Sequence, residues 1–262
     1  MKATHPCIPN PTQNRFAPIV TCLLSLAGGA MAAVPPEGIV FVPSAKEFET
    51  YRLIRDHPDQ KRVQMVLDPR LCLAARKHAE DTQRRKFFAH MNPDQVNSNQ
   101  RVLNEGYPLP ANYTPSSNFV ESMRGSGVDT PADSVAAWRA SSSHAPHVFG
   151  QTAFYAGQVV FGVGHAPPSG HQYATYVFLS APLPTGEQGS PLQILRPMVE
   201  VRSGSVALTQ LPAQAIVEVW KAGPSLNNFT FDRTAVVGSN QRIPVGTATG
   251  NSGFFRLTYY RP

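Results

Sequence analysis

The apolar positions of this chain change period along its length. Near the start, Ser44 followed by Glu47 forms a capping box, and Phe48, Tyr51 and Ile54 then recur at helical spacing until His57-Pro58 stops the run. A second helix is predicted from Asp68 as cap and Pro69 in the first turn. Leu71, Ala74, Ala75, His78 and Ala79 share one face until about Lys86, and Arg76, Lys77, Glu80, Asp81, Arg84 and Arg85 form a solvated opposite face. A third starts at Thr130-Pro131, with Asp133 as reciprocal cap and Ala132, Val135 and Trp138 on one side, and ends in the serines 141–143. Later the period shortens to two. Residues 158–164 and 171–180 are rich in Val, Phe and Tyr around the turn Pro167-Pro168-Ser169-Gly170, which predicts a hairpin. Three helices followed by an antiparallel hairpin predict an α+β fold.

Residues 140–186 hold no Asp, Glu, Lys or Arg and four of the eight histidines, which predicts mostly buried sheet. The stretch 182–191, Pro-Leu-Pro-Thr-Gly-Glu-Gln-Gly-Ser-Pro, has the composition of a linker. Beyond it, alternating segments near 205–211, 215–221, 229–237, 241–249 and 254–260 predict a small β-sandwich or barrel. That part holds no cysteine, histidine or acidic cluster, so no chemistry is expected of it.

Length and composition narrow the class. A chain of 262 residues favours two modest domains, and 42% hydrophobic with only 15% charged residues, broken by 25 Pro and 19 Gly, excludes a disordered chain or a coiled coil. Residues 1–32 carry Lys2 and Arg15 before an apolar run from Ile19 to Ala27, then Ala30-Met31-Ala32. This is the pattern of a secretory signal, and the run is shorter than the ~20 residues that span a bilayer. Export to the periplasm or the extracellular space is therefore expected, with no stable membrane span after removal of the signal. The net charge of +6 then falls to +4, all of it in 190–262, because 33–189 is balanced at 14 basic and 14 acidic residues. A neutral main body gives no electrostatic case for nucleic acid. Cys7 and Cys22 would leave with the signal, so no intrachain disulfide is expected of Cys72.

Several residues have plain structural readings. His78 lies on an apolar helix face and is expected buried and hydrogen-bonded. His147, His165 and His171 sit near turns and are expected at the surface. Cys72, between Leu71 and Leu73, reads as a packed hydrophobe and Trp138 as a core anchor. Ser142 and Ser143 adjoin His144, but neighbours on one chain rarely face each other, and no Gly-x-Ser-x-Gly elbow is present.

The sequence Leu67-Asp68-Pro69-Arg70-Leu71, then Ala74-Ala75, His78-Ala79 and Phe87-Phe88-Ala89-His90-Met91-Asn92-Pro93-Asp94, resembles bacterial SCP-like proteins of the CAP superfamily. This is the superfamily of cysteine-rich secretory proteins, antigen 5 and pathogenesis-related proteins. Gly106-Tyr107, Val120-Glu121-Ser122, Thr130-Pro131 through Trp138, Ser142-Ser143-His144, Gly162-Val163-Gly164 and Tyr173–Phe178 continue the resemblance in order, over roughly 44–181. It implies an α-β-α sandwich with a central antiparallel sheet at 43–181, ahead of the small all-β domain at 192–262. It also implies a cleft lined by two histidines and two glutamates. His90, Glu121 and His144 stand at three of those positions, and Ser141 occupies the second glutamate position.

The four positions His90, Glu121, Ser141 and His144 are therefore the expected ligand-binding set, with no residue expected to be catalytic. Two imidazoles and a carboxylate supply three of the four ligands of an open zinc site, so His90 and His144 are the candidate metal ligands, zinc the candidate cofactor. No His-x-x-x-His or Cys-x-x-Cys pair supports a metal independently. The favoured reading is an exported, non-catalytic module binding a lipid-like, glycan or protein ligand. The alternatives are a metal-dependent hydrolase of peptide or cell-wall material with Glu121 as base, and an envelope adhesion or anchoring protein acting through the β-domain.

Overall fold

The structure is a computed structural model that describes residues 35, 37–184, 198–202, 205–211, 213–222, 229–247 and 254–260. The signal-like segment 1–32 and positions 185–191 of the linker lie outside the described residues. In chain order the elements are β1 (Ile39–Phe41), α1 (Ala45–Arg55), β2 (Val66–Leu67), α2 (Pro69–Arg85), α3 (Ser98–Asn104), β3 (Glu121–Ser126), α4 (Pro131–Ala140), α5 (Ala145–Val148) and α6 (Ala153–Ala156). There follow β4 (Val160–Ala166), β5 (Ala174–Ala181), β6 (Met198–Arg202), β7 (Ser205–Thr209), β8 (Ile216–Ala222), β9 (Phe229–Val236), β10 (Arg242–Thr247) and β11 (Phe254–Tyr260).

Local signals set the helix ends. Ser44 and Glu47 form the complete capping box of α1, each side chain accepting the other's backbone N–H. Asp68 accepts the Arg70 N–H at 2.7 Å to start α2, and Lys86, in the left-handed region at φ 56°, ends it. Thr130 caps α4 through the Asp133 N–H, whereas the Asp133 carboxylate turns to Ser126 at 2.7 Å instead of completing the box.

The central sheet has the order β2-β4-β5-β3. β3, β4 and β5 are antiparallel, but the two residues of β2 join β4 in parallel, so the sheet expected to be antiparallel is mixed. Its two faces carry separate cores. Val177, Leu179 and Ala181 of β5 pack with Leu71, Ala74, Ala75 and Ala79 of α2, while the alternate Ala174, Tyr176 and Phe178 pack with Tyr51 and Ile54 of α1 and Val135 and Trp138 of α4. Gly162 and Gly164 permit the approach of α2, since a Cβ on either would overlap the backbone of Leu71 or Ala75.

The uncharged segment is not all sheet. Residues 145–148 and 153–156 form helical turns, started by Pro146 in the first turn and by the Thr152 side chain, which accepts the Tyr155 N–H. A short apolar run does not separate strand from helix by period alone. Toward the C-terminus the strands lie close to the expected segments, with β6 in addition. They form a sheet of order β1-β9-β8-β11 and one of order β10-β7-β6. Val217 and Val219 of β8 face Leu208, Ile243 and Val245 in a third core. The opposite face of the larger sheet meets the helices. Phe231 stacks on Phe48 at 4.7 Å, and Glu218 Oε1 accepts the Tyr51 hydroxyl and the Leu67 N–H, each at 3.0 Å. Thr234 donates its hydroxyl to the Leu67 carbonyl. The free edge of β2 is thus closed by side chains 151 and 167 residues further along the chain, and β1 extends the same C-terminal sheet by pairing with β9.

Candidate functional site

Glu121 opens β3, where Asn118 Oδ1 accepts its backbone N–H at 3.0 Å. Its side chain is fully buried, 0% exposed, and both oxygens are engaged. His90 Nδ1 lies 2.9 Å from Oε1 and Arg101 Nη2 donates to Oε2 at 2.6 Å. Burial pushes the carboxyl up, but the Arg101 guanidinium, with His78 and His90, outweighs it and holds Glu121 down to about 2. Arg101 Nη1 also donates to the carbonyls of His90 and Val96, at 2.7 and 2.9 Å, so one guanidinium ties the loop after α2 to the first residue of β3. The acidic partner places the His90 proton on Nδ1 and leaves Nε2 directed elsewhere.

Ser141 ends α4 and His144 starts α5, and that corner brings Ser141 Oγ to 2.8 Å from His144 Nδ1. Burial, then His90 and Arg124, push the His144 pKa down, so the ring is neutral at pH 7. A cleft of about 410 Å³ lies against this corner, walled by Ala137, Trp138, Ser141 and His144 on one side and Phe88 and Tyr173 on the other. Met123, Arg124 and Gly125 of β3 form its floor. Ser141 and His144 therefore line the cleft, whereas His90 and Glu121 are held beside it. A second cleft of about 340 Å³, along α2 and α3, is walled by charges paired among themselves, such as Lys77 with Glu105 and Arg85 with Asp94.

The residues do not fit a zinc ion with three protein ligands. Each histidine has an orienting partner on Nδ1, which suits coordination through Nε2, but Glu121 has no free oxygen. Among the described residues, no three His, Cys, Asp or Glu side chains are placed to hold a metal ion together.

Three of the other histidines depart from the surface positions expected of them. His147 is buried, its Nδ1 2.7 Å from Ser122 Oγ and its Nε2 2.9 Å from Ser180 Oγ, with Arg62 donating to its carbonyl at 2.6 Å. Burial and Arg62 hold its pKa well below the usual range. His165 bonds Asp129 at 2.8 Å, and His171 bonds the Phe87 carbonyl at 3.0 Å. The charge-free segment draws polar partners from elsewhere in the fold, which local turn signals do not reveal. His78 is buried and donates from Nε2 to the Ala89 carbonyl at 3.1 Å. Cys72 is a buried free thiol with its pKa pushed up by burial, and Trp138 is buried with Nε1 donating to the Met123 carbonyl at 3.2 Å. Arg101 and Arg124 carried no signal in the sequence, since neither falls in a motif.

The chain belongs to the cysteine-rich secretory protein (CAP) family, whose model matches residues 47–260. The match runs past the motif-bearing region into β11. Two solved structures are similar at 14% identity and a TM-score of 0.39 each. One is an outer surface protein from Borrelia burgdorferi, over 55% of this chain and 98% of that one. The other is an extracellular protein containing a SCP domain from Bacillus anthracis, over 51% of this chain and 40% of that one. A search of curated proteins finds no match. Among the described residues no helix is long and apolar enough to cross a membrane.

Proposed function

We propose that the protein is exported and works as a non-catalytic binding module, with the cleft between Trp138 and Tyr173 holding its ligand. The observation that carries this is the state of Glu121. A general base needs an accessible lone pair and an affinity for protons matched to the working pH. Glu121 is sealed, offers neither oxygen to the cleft, and is held down to about 2, so it is a poor proton acceptor. Ser141, at the other carboxylate position, orients His144 and is no base. The cleft supplies aromatic walls, one guanidinium, one neutral imidazole and one hydroxyl, a mixture that suits binding.

The finer architecture follows the same reading. Residues 43–181 form an α-β-α sandwich, 192–262 a small all-β domain, and 182–191 the connection. Export rests on the basic start and apolar run of 1–32.

The test is turnover. Purified mature protein is incubated with zinc and with peptide, peptidoglycan and ester substrates, beside Glu121→Gln and His144→Ala variants. No hydrolysis above the variants is expected. Hydrolysis by the wild type that both substitutions abolish would replace this reading with the metal-dependent hydrolase.

A further inference from the structure

The floor of the cleft is the edge of a sheet. β3 is the last strand in the order β2-β4-β5-β3, so one side of its backbone has no strand neighbour among the described residues. The register decides which groups face outward. Ser180 N–H donates to the Val120 carbonyl, so residues 120, 122, 124 and 126 bond to β5 and residues 121, 123 and 125 point their backbone groups away. Side chains close the first part of this edge: Asn118 pairs with both backbone groups of Glu121, and Trp138 Nε1 donates to the Met123 carbonyl. The Met123 N–H and both backbone groups of Gly125 have no partner among the described residues. These three groups lie where Met123 and Gly125 line the cleft.

Arg124, between Met123 and Gly125 in the strand, lines the same cleft. It makes no ion pair or hydrogen bond among the described residues, and its Nε is buried without a partner. Among the described residues, no carboxylate lines the cleft with it. Along the cleft, two N–H donors and one carbonyl acceptor spaced as a strand, and one guanidinium, thus have no partner among the described residues, beside the rings of Phe88, Tyr173 and Trp138.

We propose that this cleft takes an extended peptide that adds to the Met123–Gly125 edge as a further strand, with Arg124 pairing with a carboxylate on that peptide. An unpaired strand edge is a template for a peptide backbone, which alternates donors and acceptors at the same rise of about 3.4 Å. A lipid tail would leave the Gly125 and Met123 groups without partners on burial, at the cost of their hydration. A guanidinium takes a carboxylate in a two-point geometry that a neutral sugar does not offer. The inference rests on the binding-module reading and gives its ligand class.

The probe is a fluorescein-labelled random hexapeptide library with free C-terminal carboxylates, selected on the mature protein and followed by anisotropy on resynthesised binders. Two changes address the carboxylate: C-terminal amidation, and replacement of Asp or Glu by Asn or Gln. One of them, and the Arg124→Gln variant, should each weaken binding at least about tenfold. Which of the two peptide changes acts tells whether the carboxylate is terminal or side-chain. N-methylation scanned along the peptide keeps the protein unchanged. It should abolish binding at amides of one parity and spare the other, because alternate amides face the edge. Binding indifferent to the N-methyl scan, or equal in Arg124→Gln, would overturn the proposal. A dansylated fatty acid and chitotetraose run alongside. If either binds and no peptide does, the peptide inference falls and the binding module stands; if no probe binds, both fall.

Discussion

Glu121→Gln tests the electrostatic argument most directly. The carboxyl moves from its ordinary value of 4.5 to about 2 on folding, which at about 1.4 kcal/mol for each tenfold change in proton affinity is on the order of 3 kcal/mol favouring the folded state at neutral pH. A folded pKa below the unfolded one gives stability that is fully present above pH 4.5 and lost as pH falls through about 2. The amide cannot take the ion pair, and it leaves Arg101, whose side chain is only 11% exposed, without a counter-charge. The variant should therefore lose about 3 kcal/mol at pH 7, order of magnitude, and keep most of its remaining stability in acid. Urea unfolding followed by Trp138 and Trp220 fluorescence, repeated from pH 2 to 7, measures both. The wild-type and variant curves should converge toward pH 2. A variant weaker by less than about 1 kcal/mol at pH 7 and parallel to the wild type in acid would refute the ion-pair account.

At the seam between helices and C-terminal strands, burial pushes the Glu218 carboxyl up even though Leu67 N–H and Tyr51 donate to it. Its penalty therefore appears as pH rises through the folded pKa, so Glu218→Gln should leave the Tm at pH 7 unchanged or raised while Glu218→Ala lowers it through about 2 kcal/mol of lost hydrogen bonding. Cleavage near 182–191 should give two fragments that co-elute in native gel filtration, because Glu218, Thr234 and Phe231 grip the helical part; fragments eluting apart would contradict this seam. Zinc should bind weakly by calorimetry, in a manner abolished in His90→Ala/His144→Ala and weakened in acid, because coordination needs a neutral imidazole. Equal affinity in the double variant would place the metal elsewhere. Intact mass after export should correspond to a chain starting at Ala33, and retention of Met1 would defeat the signal reading.

What the sequence revealed and what it hid divide along contact range. The capping box of α1, Pro69, the hairpin turn and the five C-terminal alternations act within a few residues, and α1, α2, α4, β4, β5 and β7–β11 stand close to where these local signals put them, whereas α3, α5, α6, β1, β2, β3 and β6 lie outside the segments so predicted. The histidine positions were legible by resemblance, as was the serine at 141. The partners were not. Arg101, 20 residues from Glu121, turns a supposed cleft carboxylate into a sealed anion, and Ser180, 33 residues from His147, buries a histidine that sits beside a proline. Glu218 reaches Leu67 across 151 residues, so a segment without an acidic cluster still supplies the residue that closes the β2 edge. Each of these depends on which chain segments the sheet order brings together, and spacing in one sequence does not encode that.

The sign of the field at the cleft decides between its possible occupants. Arg124 lines the cleft, and the carboxylate held beside the cleft, Glu121, is already paired with Arg101. A dication approaching His144 would meet Arg124 with no described carboxylate in the cleft wall, and Arg124 adds to the burial and the His90 ring that push the His144 pKa down. A carboxylate approaching along the same path meets the opposite sign, and Arg124 gains the partner that no described residue supplies. With a glutamate at 141 the balance would return to neutral and a metal would find a further ligand. Ser141→Glu should therefore tighten zinc binding and weaken the binding of carboxylate-bearing probes in the same protein. The two changes must move in opposite directions, because one charge causes both. If zinc affinity rises while carboxylate binding stays as it was, Arg124 does not face the ligand and the electrostatic assignment of the cleft is wrong.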